Sequence, residues 1–159
     1  MNIRKIILAI WAFVLPAMMY GQYTIQCEDT CNHVHGLDMS HYQGEVFWEA
    51  IGNNSKMAYV YLKATEGGTN IDKRYAQNIA LAKQYGLKVG SYHFYRPTRP
   101  QGEQLRNFRY QCQAKDQDLI PMVDIETTGG LRREALVDSL HKFLQLMERA
   151  YHCKPLIYT

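Results

Sequence analysis

The chain contains no glycine-rich phosphate loop and no Walker pattern, so it offers no cradle for nucleotide phosphates. It has no low-complexity tract and no internal repeat of fixed period, which excludes disorder and solenoid architectures as the main state. Charge of one sign is scarce as well. The 18 basic and 15 acidic side chains leave a formal net charge of +3. That is too mild and too scattered for a nucleic-acid surface, though it suits approach to an anionic polymer. No cysteine follows the early apolar run closely enough for lipid attachment.

What is present points to one packed domain. The chain has 159 residues, 47% of them hydrophobic, with 12 tyrosines. That is enough for a sizeable core. Asn2-Ile3-Arg4-Lys5 is basic, residues 6–15 are apolar, and Pro16 interrupts the run. The apolar stretch is short for a membrane span, so residues 1–21 are expected to be a secretory signal peptide, with a membrane anchor as the alternative. The chain is therefore expected to be secreted or periplasmic. Residues 22–35 are polar and irregular and predict a linker. Cys27, Cys31, Cys112 and Cys153 fit an exported chain, and four cysteines allow three pairings. Cys27, Cys31, His33 and His35 make a loose cluster whose spacing is not that of a zinc finger, so no metal is expected.

The most informative stretch is Asp118-Leu119-Ile120-Pro121-Met122-Val123-Asp124-Ile125-Glu126. Ile120, Met122, Val123 and Ile125 predict a short buried strand. Side chains alternate along a strand, so Asp124 and Glu126 are expected on one face. Two carboxylates so close cannot both ionise freely, and one pKa is expected to rise. Such a pair suits general acid/base work, glycoside cleavage above all. Two solvated acids at an exposed strand end are the plainer reading of the pair alone.

The rest of the chain alternates strand and helix. Gly36–Gly44 predicts a short strand that ends in polar groups and then a glycine turn, and Phe47, Trp48, Ala50 and Ile51 a brief helix stopped at Gly52-Asn53-Asn54. Met57–Thr65 predicts a second strand, and residues 72–85 a helix with Asn70 or Asp72 as cap and Gly86 at its left-handed end. Leu87–Tyr95 is a third strand, and Leu105, Phe108 and Cys112 share a helical face. Leu136, Leu140, Phe143, Leu144, Met147 and Tyr151 form the clearest helical stripe, before a last strand at residues 155–159. Alternation argues parallel strands covered by helices. Each strand ends in polar groups: Asp38, then Lys63 and Glu66, then Tyr92 and His93, then Asp124 and Glu126. Sites of TIM-like (β/α) barrels form at that carboxyl rim, so an α/β barrel fold is expected, whereas a Rossmann-type sheet would want a glycine-rich first turn.

Gly36-Leu37-Asp38-Met39-Ser40-His41-Tyr42-Gln43-Gly44 resembles the opening motif of the family-25 glycoside hydrolases, lysozymes that act as N-acetylmuramidases. Tyr61-Leu62-Lys63-Ala64-Thr65-Glu66-Gly67 is similar to that family's second-strand motif, and Gly90-Ser91-Tyr92-His93-Phe94 to its third. Asp124-Ile125-Glu126 resembles its catalytic Asp-x-Glu, and Pro155–Thr159 its fifth strand. The resemblance runs from Gly36 to Thr159 and implies a barrel domain truncated at its carboxyl end, with about five strands and four helices present. It implies cleavage of the β-1,4 linkage between N-acetylmuramic acid and N-acetylglucosamine in peptidoglycan, with retention and without a cofactor. It makes Glu126 the proton donor and later the base, with Asp124 and Asp38 the other two carboxylates. The expected substrate-lining residues are Tyr61, Lys63, Glu66, Tyr92, His93, Phe94 and Tyr158.

Each has a plainer alternative. Asp38 suits a turn, Glu66 an ion pair with Lys63 or Arg74, His93 a satisfied core histidine, and the tyrosines ordinary core. Peptidoglycan glycan strands are the expected partner of a monomer that binds neither nucleic acid nor nucleotide. Two other functions stand beside the lysozyme: a non-catalytic remnant that binds cell wall, and a hydrolase of chitin-like polymers.

Overall fold

In a computed structural model, the structure describes residues 33–159. The expected signal segment, most of the expected linker, and Cys27 and Cys31 lie outside the described residues. The elements run, in chain order, β1 (His35–Met39), α1 (Trp48–Gly52), β2 (Met57–Glu66), β3 (Asn70–Ile71), α2 (Tyr75–Gln84), β4 (Lys88–Phe94), α3 (Gln101–Gln111), β5 (Met122–Asp124), α4 (Arg133–Tyr151) and β6 (Leu156–Tyr158). The strand order is β1-β2-β4-β5-β6, all parallel, and β3 turns back antiparallel on the end of β2. Among the described residues the result is a curled parallel half-barrel with four α-helices.

Side-chain alternation explains the layering. Val60, Leu62 and Ala64 of β2, Val89 of β4 and Val123 of β5 face the helices, where they meet Trp48, Tyr75, Ala82, Phe108, Phe143 and Met147. Register carries the opposite face across the sheet. Asp38 lies opposite Tyr61, Lys63 opposite Tyr92, and Phe94 opposite Asp124, which in turn faces Tyr158. In parallel strands such partners point the same way, so these side chains share one inner face. A smaller cluster of Tyr61, Tyr92 and Met122 packs at its base.

Two glycines make that inner face possible. A Cβ on Gly36 would sit 2.0 Å from the Tyr59 ring, and one on Gly90 would sit 2.4 Å from the Tyr61 ring. Each tyrosine therefore lies flat over the bare backbone of a neighbouring strand. The Tyr61 hydroxyl continues across to donate to the Ile120 carbonyl at 2.9 Å.

The acidic strand is shorter than its sequence suggests. Only Met122–Asp124 is strand, and Ile120 is 42% exposed rather than buried. The reason is a tertiary contact: the Asp118 carboxylate accepts the Val89 amide at 3.0 Å, while Asp118 and Leu119 donate their own amides to the Val89 carbonyl. This clamps residues 118–120 as a loop below β4. Gly86, at φ 80°, ends the turn after α2 as expected. Cys112 and Cys153 are free thiols, and Cys112 is buried, its pKa pushed up to about 12 mainly by burial. Among the described residues no group of three or more His, Cys, Asp or Glu side chains is placed to hold a metal ion.

Candidate active site

The carboxyl ends of β1, β2, β4 and β5 bring together most of the expected site. Asp124, last residue of β5, is only 5% exposed, while Asp38 and Glu126 are open to solvent. Burial raises the Asp124 pKa to about 6, helped by the nearby charge of Glu126 and, less, of Asp38, and opposed by Lys63. Its Oδ1 atom is buried without a hydrogen-bond partner. Tyr92 stands among the same acids. Burial first, then the charges of Asp124, Asp38, Asp72 and Glu126, raise its pKa well above that of an ordinary phenol. The Asp-x-Glu pattern alone leaves open which acid is raised, and the structure puts the rise on Asp124, the one under cover.

A charged clamp flanks the acids. Glu66 accepts from Lys63 Nζ at 2.7 Å and from Arg96 Nε at 2.9 Å. Burial would raise the Glu66 pKa, but these two cations outweigh it and hold it below the usual range. Both cations also cover the Phe94 ring, Lys63 at 4.5 Å and Arg96 at 4.6 Å from its centroid. The partner of Glu66 beyond Lys63 is thus Arg96 rather than Arg74. Tyr158, 51% exposed, stands on β6 beside Asp124. Tyr61 lies deeper, with its hydroxyl already engaged, and belongs to the floor.

His93 is a correction. It is fully buried on the helix side of β4, against Phe108 and Phe143, so it cannot line a substrate groove. Gln104 fixes its tautomer. The Gln104 amide nitrogen donates to the Arg96 and Arg99 carbonyls, which leaves its oxygen to accept from His93 Nε2 at 3.0 Å and from the Arg96 amide at 2.9 Å. His93 Nδ1 then accepts from Thr65 Oγ1 at 2.8 Å. Burial drives the His93 pKa down to about 4.

Two residues escaped the sequence reading. Tyr42 follows β1 on a short helical turn capped by Ser40, is 78% exposed, and lies 5.9 Å from Lys63 Nζ. An exposed aromatic beside a charged groove is the available signal, and sequence alone does not show exposure. Arg96 lies beyond β4, and its pairing with Glu66 spans 30 residues. Behind Tyr42, the backbone and Nδ1 of His41 both bind Asp72 Oδ2, at 2.9 and 2.7 Å, tying the rim loop to the start of α2.

A helix-backed parallel sheet that gathers buried and exposed acids at its carboxyl rim places them where α/β barrels build their sites. The chain belongs to the family described as glycosyl hydrolases family 25, whose profile matches residues 37–159. The Escherichia coli K12 protein YegX is 28% identical over 130 residues, covering 79% of this chain and 48% of YegX. The autolytic lysozyme of Clostridium acetobutylicum is 33% identical over 108 residues, covering 68% of this chain and 33% of that one. The solved muramidase of Trichobolus zukalii superposes with a TM-score of 0.72 at 32% identity, over 79% of this chain and 65% of that one. The chain thus spans about half the length of YegX and a third of the autolytic lysozyme, as those 48% and 33% shares state.

Proposed function

We propose that this protein is a lysozyme that cuts the β-1,4 linkage between N-acetylmuramic acid and N-acetylglucosamine in peptidoglycan. The observation that carries the reading is the inner-face acid group, with Asp124 covered, its pKa near 6 and one oxygen unpartnered. A substrate donor such as an acetamido N–H can complete that oxygen. Glu126, open to solvent beside it, serves as proton donor to the leaving sugar oxygen and later as base toward water. Asp38 and ionised Asp124 steady the positive charge that develops on the ring. The reaction needs carboxyls and water, with no metal or nucleotide in any step.

The family match and the lysozyme and muramidase relatives support this reading. The same proposal takes the half-barrel as an arrangement of TIM type. Its strand order never reverses, and its helix-packed core lies on one face of the sheet. It also takes the chain as exported, on the strength of the basic and apolar pattern in residues 2–21. Glu126→Gln should abolish release of reducing ends from purified cell walls while leaving the circular dichroism spectrum unchanged. A variant that kept the wild-type rate would remove Glu126 from the mechanism.

A further inference from the structure

A cavity opens at the Glu66 clamp, lined by Glu66 and Arg96. It encloses about 370 Å³ and is walled by the β2–β3 turn on one side and the loop between β4 and α3 on the other. Helix α3 fixes both walls. Asn107 donates its side-chain amide to the carbonyls of Gly67 and Asn70, at 3.0 Å each, and so holds the turn. Gln104, fully buried, holds the loop through Arg96 and Arg99. Four hydrogen bonds to backbone groups from these two amide side chains, and a fifth accepted from the Arg96 amide, make the cavity preformed.

Its polar groups come in both signs. Glu66 and Arg96 pair with one another at the back. Arg99 and Glu103 line the front, and neither has an ion-pair partner among the described residues. Both lie close against the turn because it has no side chains there. A Cβ on Gly67 would stand 3.9 Å from Arg99 Cγ, and one on Gly68 would stand 3.1 Å from Glu103 Oε2. A guanidinium and a carboxylate that line one preformed cavity, each without an ion-pair partner among the described residues, suit a ligand that carries both charges.

Peptidoglycan supplies such a ligand next to the bond that is cut, because its muramic acid carries a short peptide with free carboxylates and amines. We infer that this cavity is a subsite for the peptide stem, with Arg99 taking a stem carboxylate and Glu103 a stem ammonium. The inference rests on the peptidoglycan reading above. It adds that the peptide, and not the glycan alone, selects the substrate.

The test uses Arg99→Gln and Glu103→Gln, both at exposed positions, with two soluble probes. One is the muramic acid–glucosamine disaccharide bearing its tetrapeptide, and the other is the same disaccharide without peptide. Calorimetry should show wild-type chain binding the peptide-bearing probe roughly tenfold more tightly than either variant, as loss of one charge-assisted contact implies. The bare disaccharide should bind all three chains alike. On whole walls the variants should raise KM and leave kcat, whereas walls stripped of peptide by an amidase should be cut equally by all three. Equal binding of the two probes by the wild type, or unchanged binding by both variants, would overturn the subsite. Stem-dependent binding without any cleavage by the wild type would instead keep the subsite and overturn the hydrolase reading.

Discussion

Asp124→Asn should make the protein more stable near neutral pH and remove its activity at the same time. The magnitude follows from the covered carboxyl. Its pKa is raised from 3.8 to about 6, so between those values the native state holds a proton that the unfolded chain has already released. Stability contributed by this group is complete below pH 4 and is lost as pH rises through 6, by about 3 kcal/mol in all. His93 acts with the opposite sign. Its pKa falls from 6.5 to about 4, so its contribution is complete above pH 6.5 and is lost as pH falls toward 4, again by about 3 kcal/mol. In the wild type the two slopes oppose each other across the same window and largely cancel. The variant keeps only the histidine slope. Urea unfolding from pH 4 to 7.5 should therefore show a difference, variant minus wild type, that grows by about 3 kcal/mol as pH rises. A difference independent of pH, or one that shrinks as pH rises, would refute the electrostatics assigned to Asp124.

Other predictions follow from single contacts. Gln104→Leu strands His93 Nε2, the Arg96 amide and two loop carbonyls, and should cost about 3 kcal/mol or more by the same unfolding assay. Gly90→Ala drives a methyl into the Tyr61 ring at 2.4 Å, and should lower stability by about 2 kcal/mol unless Tyr61 is trimmed too. The double variant with Tyr61→Ala should therefore be less than additive. Tyr42→Ala removes an exposed aromatic at the groove, and should lower kcat/KM on cell walls about three- to tenfold without changing stability.

Much of the fold was legible because its signals are local. Strand and helix alternation, the glycine after α2 and the α4 stripe all come from neighbouring residues, and strand parity puts Tyr92 and Phe94 on a different face from His93. That parity already argued against grouping His93 with the groove; the core reading was the physically consistent one. The acidic strand was overextended because a carboxylate 29 residues from Val89 bends Asp118 away, a contact no local pattern carries. The same holds for Arg96, whose tie to Glu66 exists only after folding, and for Tyr42, whose exposure depends on the loop behind it. That one member of the acid pair would be raised followed from spacing. That it is Asp124 depends on burial, which only packing decides.

The most direct measurement is the chemical identity of the sugar ends produced from peptidoglycan. Soluble fragments would be reduced with borohydride and weighed by mass spectrometry, for the wild type and for Asp38→Asn, Asp124→Asn and Glu126→Gln. The account predicts reduced N-acetylmuramic acid ends from the wild type and none from any of the three folded variants. Reduced N-acetylglucosamine ends, or an Asp124→Asn chain that cuts at the wild-type rate, would contradict it.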